Sequence, residues 1–292
     1  MLAPPVGAYR ETGAQYTGGW GAFVGTAIAP HYFITAVHVG GGVGDPFTFN
    51  GTKHTAEGVT TISGTDLAVW RVRERLPRWA SLYDRRGETG KEMILYGRGC
   101  RRGRSLIFEG VMRGWQWGAA DGSLSWGRNR VDSVAALPNV GEMLVFDFDR
   151  LNGDEEGTVG SGDSGGGVFV QDGTLWKLAG VNHASGGRFS QNPTGAEPFM
   201  AALYDTRGLY QATGDGWKQL DPGATDPSPT LAFATRVSHY TAEIRTIIGA
   251  RNPDNDRTPL STRAYLLIAA GILLVIFFTL GIRSRALHAR KK

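Results

Sequence analysis

The sequence predicts an all-β fold, and three observations carry that expectation. Glycine supplies 43 of the 292 residues, so chain reversals are frequent. Short apolar or alternating runs recur between turn residues, the pattern of antiparallel strands. Long charged helical runs are few, which argues against a helical bundle. With 41% hydrophobic residues, the chain can bury a sizeable core. One large domain or two small ones is expected, and a disordered chain is excluded.

The strand-like runs, in chain order, begin with Ala22–Ile28 and Tyr32–Val37, on either side of Pro30. Leu67–Val72 (LAVWRV) follows a Ser-Gly turn, and Met93–Tyr96 (MILY) is enclosed by Gly90 and Gly97. Ser105–Met112, Met143–Phe148, Gly167–Val170, Leu175–Val181 and Leu231–Val237 complete the set. Such spacing suggests an antiparallel barrel or sandwich. Only Ser238–Ile248 (SHYTAEIRTII) reads as helix, with a Ser N-cap, Ile244, Ile247 and Ile248 on one face and Gly249 beyond its end. Leu220–Thr230 (LDPGATDPSPT) reads as a surface loop inside the same domain.

The C-terminal segment has a different character. Ala264–Ile282 holds no charge over nineteen residues; at about 1.5 Å per residue it spans roughly 28 Å, close to the hydrocarbon thickness of a bilayer. It is expected to be a single transmembrane helix. Residues 250–263, polar and with two prolines, read as a linker, and 283–292 as a basic tail on the cytoplasmic side. That orientation places the globular part outside the cytoplasm. MLAPPVGAYR lacks a basic segment followed by an apolar one, so a secretory signal is expected upstream of Met1.

The charge balance excludes a nucleic-acid reading. The whole chain carries +4, but six cations and no acid lie beyond position 262, leaving −2 for residues 1–262. The local run Arg98, Arg101, Arg102 and Arg104 reads as a solvated turn. Cys100 is the single cysteine, so no intramolecular disulfide can form and the core alone must hold the fold. No His-Glu-x-x-His pattern, phosphate-binding glycine loop or dinucleotide fingerprint is present, and neither a metal nor an organic cofactor is expected.

The chemistry gathers around Gly160-Ser161-Gly162-Asp163-Ser164-Gly165-Gly166. A serine is a weak nucleophile at neutral pH; it needs an imidazole to take its proton, a carboxylate to orient that imidazole, and donors for the oxyanion. His38 ends the apolar run FITAV and Asp66 begins DLAVWRV. Each is a polar group at the end of a buried strand, where barrel interiors open onto clefts.

ITAVHV (Ile34–Val39), TDLAVWRV (Thr65–Val72) and GDSGG (Gly162–Gly166), in that order, resemble the three motifs of the trypsin/chymotrypsin-like serine peptidases. LAGVNHA (Leu178–Ala184) resembles the strand lining their cleft, and Phe233–Ile248 their last strand and C-terminal helix. The similarity covers about residues 15–249. It implies two six-stranded antiparallel barrels, the first over about 15–95 and the second over about 96–237, followed by a helix over 238–248. It makes Ser164 the nucleophile, His38 the general base and acid, and Asp66 the orienting carboxylate. The backbone N–H groups of Gly162 and Ser164 would form the oxyanion hole. Thr158 would form the base of the pocket for the residue before the scissile bond, with Ser185 and Ala232 as its walls; the absence of charge there implies a neutral or apolar preference. The partners implied are a protein or peptide substrate and, through residues 264–282, the membrane.

The chain also departs from that family. Residues 185–230 form an insertion before the last strand, expected as an added hairpin near the cleft, and Asp163 lacks a visible amine partner. Two other readings compete. Gly162-Asp163-Ser164-Gly165-Gly166 fits the G-x-S-x-G pattern of α/β-hydrolases, but that motif needs a helix after the serine and a downstream acid and histidine. The other is a catalytically inactive homologue that binds proteins at the membrane.

Overall fold

The computed structural model describes residues 9–149 and 153–249. The expected linker, transmembrane helix and basic tail lie outside them. Among the described residues no helix is long and apolar enough to cross a membrane.

Six strands close the first barrel: β1 (Thr17–Trp20), β2 (Phe23–Ala29), β3 (Tyr32–Ala36), β4 (Pro46–Phe49), β5 (Thr52–Thr61) and β6 (Leu67–Val72). Their order is β1-β2-β3-β6-β5-β4, and β1 pairs back onto β4 through Gly19↔Thr48 and Trp20↔Phe47. Alternation along β4 turns Phe47 and Phe49 inward. Inside, the rings of Phe33 and Phe47 stack at 4.0 Å, with Trp20 and Trp70 packed beside Phe33. A Cβ at Gly25 would lie 2.7 Å from the Phe33 ring, so the aromatic filling requires glycine there. This aromatic packing supplies what a disulfide-free small barrel needs for a core.

The second half is not the closed six-stranded barrel expected. Seven strands form one antiparallel sheet: β7 (Glu92–Gly97), β10 (Ser125–Arg130), β11 (Ser133–Leu137), β12 (Gly141–Asp147), β13 (Gly167–Asp172), β14 (Leu175–Ser185) and β19 (Leu231–Arg236). Their order is β10-β7-β13-β14-β19-β12-β11. The unbroken apolar run of β7 follows from burial on both faces. Met93 and Leu95 join Val168, Val170, Leu144 and Ala234 on one side, while Ile94 and Tyr96 join Phe169 and the barrel residues Ile28, Ile34 and Val69 on the other.

A second sheet takes up the remaining strands: β8 (Cys100–Phe108), β9 (Val111–Ala120), β15 (Arg188–Ser190), β16 (Phe199–Leu203), β17 (Tyr210–Thr213) and β18 (Gly216–Gln219), in the order β18-β17-β15-β16-β9-β8. The insertion is thus four strands and not one hairpin, and its Phe189, Ala201, Leu203 and Leu209 form a separate core with Leu106 of β8. The expected strand Ser105–Met112 is a hairpin tip, because Glu109 and Gly110 both take positive φ (+49° and +76°) between the paired Phe108 and Val111. Two such residues make the tight turn whose twist matches paired strands. The arginine run lies mostly on β8 and not in a turn. There Arg102 covers the Trp115 ring at 4.1 Å, Arg101 meets Asp121 and Arg104 bonds Gln116.

The helix α1 spans Val237–Ile247, one residue earlier at each end than expected, and buries Val237, Tyr240 and Ile244 against the barrel-facing core. Ser238 is not its cap. Its hydroxyl bonds the buried carboxylate of Glu88, which also pairs with Arg236 at 2.8 Å. Gly249, at φ +61°, stands just past the end, as expected for a helix stop.

Candidate active site

Strand register brings the first two polar residues together. β3 and β6 are antiparallel with Ala36 opposite Leu67, so the end of one meets the start of the other. Beyond β3 the chain makes one short turn, Val37–Val39, and the Val37 N–H donates to the Asp66 carbonyl at 2.9 Å. The backbone N–H of His38 donates to Asp66 Oδ1 at 3.0 Å, and His38 Nδ1 lies 2.6 Å from Oδ2. Asp66 is buried, with 7% of its side chain exposed, whereas 42% of the His38 side chain is exposed.

Ser164 arrives from the other half of the fold. Its Oγ lies 2.7 Å from His38 Nε2. The loop that carries it is shaped by close approach. Gly165 has φ +79°, and a Cβ there would fall 2.1 Å from Thr35 Oγ1 and 2.5 Å from the Val24 carbonyl. Only glycine lets the loop press this tightly on β2 and β3. After Ser164 the chain enters strand β13 and not a helix, which contradicts the α/β-hydrolase elbow.

Asp163 is anchored by backbone, which answers the missing amine partner. Its Oδ1 accepts the Gly99 N–H and its Oδ2 the Gly160 N–H, both at 2.8 Å. Burial pushes its carboxyl up to about 6, although these two donors and Arg101 oppose the rise. The folded chain therefore holds a proton there that the unfolded chain releases between pH 3.8 and about 6. That contribution to stability is complete at acid pH and is lost as pH rises through this window. Asp163→Asn sets an amide donor against one of two N–H donors. It is expected to lower the melting temperature by loosening the Ser164 loop, as read by thermal unfolding.

Gly162 takes φ +92°. In this turn the Asp163 N–H donates to the Gly160 carbonyl and the Gly165 N–H to that of Asn182. The N–H groups of Gly162 and Ser164 have no acceptor among the described residues.

The three expected pocket residues are not brought into one pocket. Thr158 is buried beside a narrow cavity of about 20 Å³ with Trp115, Trp117, Phe148, Arg102 and Glu156. Ser185 lines a different cavity of about 330 Å³, walled by Phe189, Gln211 and Thr206 of the insertion and by Phe233. Ala232, opposite Ser185 in the β14–β19 pairing, is wholly buried in the sheet core. Strand β16 of the insertion pairs with β9, and Ala202 on it lines the cavity beside Thr158. The Trp117 ring on β9 lies 3.3 Å from where a Cβ of Gly160 would stand.

One further residue at the site, His183, lies in the cleft-lining run LAGVNHA and was given no role by the sequence. His183 Nδ1 lies 2.6 Å from Asp66 Oδ2, the oxygen that also faces His38. Its signal was the one that marked His38 and Asp66, a polar residue at the end of the apolar run LAGV. Burial would raise the Asp66 carboxyl, but donation from His183 and His38 outweighs it and holds the group well below the usual carboxylate range. Among the described residues, His38, Asp66 and His183 also form the grouping whose ligand atoms, within 4.8 Å of one another, could hold a metal ion. Such an ion would have to displace the hydrogen bonds onto the shared oxygen.

No protein-family profile matches the chain, and no curated protein matches it. Solved structures do. The passenger domain of the plasmid-encoded toxin, an autotransporter enterotoxin from enteroaggregative Escherichia coli, is similar at a TM-score of 0.47 and 18% identity, over 85% of this chain and 23% of that one. This chain thus spans less than a quarter of that passenger domain. An inactive form of Rv3671c from Mycobacterium tuberculosis H37Rv gives a TM-score of 0.46 at 14% identity, over 86% of this chain and 98% of that one. The active form of the Rv3671c protease gives 0.44 at 16%, over 79% and 74%.

Proposed function

We propose that this chain is a serine endopeptidase that cleaves peptide bonds through an acyl-enzyme. The observation that carries the reading is the continuous relay Ser164 Oγ, His38 Nε2, His38 Nδ1, Asp66 Oδ2, with steps of 2.7 and 2.6 Å. An ionised Asp66 fixes the proton on His38 Nδ1, which leaves the Nε2 lone pair for the serine proton. Ser164 Oγ then attacks the scissile carbonyl, and the developing oxyanion turns toward the N–H groups of Gly162 and Ser164. His38 returns its proton to the departing amine, and water repeats the sequence to release the acid.

The proposed substrate is a protein or peptide; the neutral or apolar preference is carried only by the resemblance, since Thr158, Ser185 and Ala232 line no common cavity among the described residues. We also propose that residues 264–282 anchor the enzyme in a membrane, with the peptidase outside the cytoplasm; the apolar run and its basic flank support this. A fluorophosphonate probe tests the nucleophile. The detergent-purified chain is expected to label and its Ser164→Ala variant to remain unlabelled; equal labelling of both would refute the assignment.

A further inference from the structure

Asp66 serves two imidazoles, and the second has no place in the relay just described. His183 sits at a bulge in β14. Asn182 pairs with Ala234 and Ala184 with Phe233, so His183 is the extra residue with no partner across the ladder. A bulge re-aims the side chain of the residue it inserts. Here it aims His183 at Asp66 Oδ2, at 2.6 Å, and sets its ring at 88° to the His38 ring with centroids 5.4 Å apart. The backbone around it is rigidly tied. Asn182 Nδ2 donates to the Tyr96 and Asp163 carbonyls, and Asn182 exchanges backbone bonds with Gly165 and Gly166.

We propose that His183 is a positioning residue of the peptidase. Its Nδ1–H shares Asp66 Oδ2 with His38, and its ring edge limits rotation of the His38 imidazole. The inference rests on the serine-peptidase reading for its effect on turnover, but not for its geometry. With Oδ1 held by the His38 backbone and Oδ2 held by two rings, Asp66 has little freedom to turn. A carboxylate accepting three donors also keeps its negative charge when His38 becomes cationic, and so does not draw the proton away from the imidazole. Both rings must then carry hydrogen on Nδ1, because an ionised carboxylate offers only acceptors.

The role separates from simple packing by chemistry. Asparagine places an N–H donor near the position of histidine Nδ1, whereas alanine removes both donor and ring. His183→Ala is expected to lower kcat by about tenfold to a hundredfold, the loss of one hydrogen bond to a charged group, with KM little changed. His183→Asn is expected to recover most of that loss. Independently of activity, ¹⁵N NMR of the full chain in detergent is expected to show His183 and His38 both as Nδ1–H tautomers. Should the alanine variant fail to fold, the asparagine variant and the wild-type spectrum still decide. An Nε2–H tautomer for His183, or kcat within twofold of wild type in a folded His183→Ala protein, overturns the proposal. A wild type that neither turns over peptide nor labels with fluorophosphonate refutes the peptidase reading instead, and leaves the tautomer result to judge His183.

Discussion

Replacing Ser164 with alanine is expected to reduce peptide hydrolysis by about a million-fold, close to the limit set by the rest of the site. The reason lies in the relay. Among the described residues His38 Nε2 has one proton donor within bonding distance, the Ser164 hydroxyl at 2.7 Å, and without it the imidazole has nothing to activate. Removal of His38 is expected to be nearly as severe, and the double variant no worse than either single one, because the two act as a unit. Folding is expected to be almost untouched. Ser164 lies in a glycine-framed loop whose anchors are Asp163 and the Asn182 backbone, and the His38 side chain is exposed and not part of a core. Hydrolysis rates and melting temperatures for the three variants check this; a large loss of melting temperature in His38→Ala would mark the histidine as structural instead.

The second large effect is expected at Asp66. Asp66→Asn keeps the shape but replaces one acceptor oxygen with a donor, so the asparagine amide confronts an imidazole Nδ1–H. The ring is then driven to the tautomer with hydrogen on Nε2, which cannot accept the Ser164 proton. A loss of about ten-thousand-fold in kcat is expected near neutral pH. This carboxylate is also a folding element. Held below the usual range, it stabilises the chain above its unfolded value of 3.8 and loses that contribution as pH falls through the folded value. The asparagine variant is therefore expected to lose melting temperature at neutral pH and to approach wild type in strong acid, a trend opposite to that of Asp163. Thermal unfolding across acid pH separates the two carboxylates.

Much of the candidate site was legible because its signals are local. His38 and Asp66 stand where buried strands end, and the pairing Ala36↔Leu67 converts that shared position into contact. The glycines around Ser164 announce a loop passing close to other backbone, and Gly165 against Thr35 and Val24 is such a passage. His183 was harder to find. Its direction depends on a one-residue bulge in β14, and a run such as LAGVNHAS does not reveal which residue the partner strand will skip. The positions of the three expected pocket residues were no more legible. Ser185 and Ala232 pair within the seven-stranded sheet and Thr158 lies on a separate cavity beside Trp115 and Trp117, and nothing in VMRGWQWGAA says that β9 pairs with β16 and comes to stand there.

The sequence by itself determined the all-β class, the closing helix and the lack of any disulfide, and it singled out the three residues that the fold joins by hydrogen bonds. The class, the helix and these three residues depend on hydrophobic period, turn chemistry or a short motif, which act over a few neighbouring residues. Tertiary structure alone decided that the second half forms a seven-stranded sheet with a further six-stranded sheet beside it. It also decided that Asp163 is held by the amides of Gly99 and Gly160, and that Asp66 serves two histidines. Strand pairing and loop docking join residues far apart in the chain, 148 positions in the case of Glu88 and Arg236. Which partner wins is set by how the whole core packs, a property no local stretch of sequence contains.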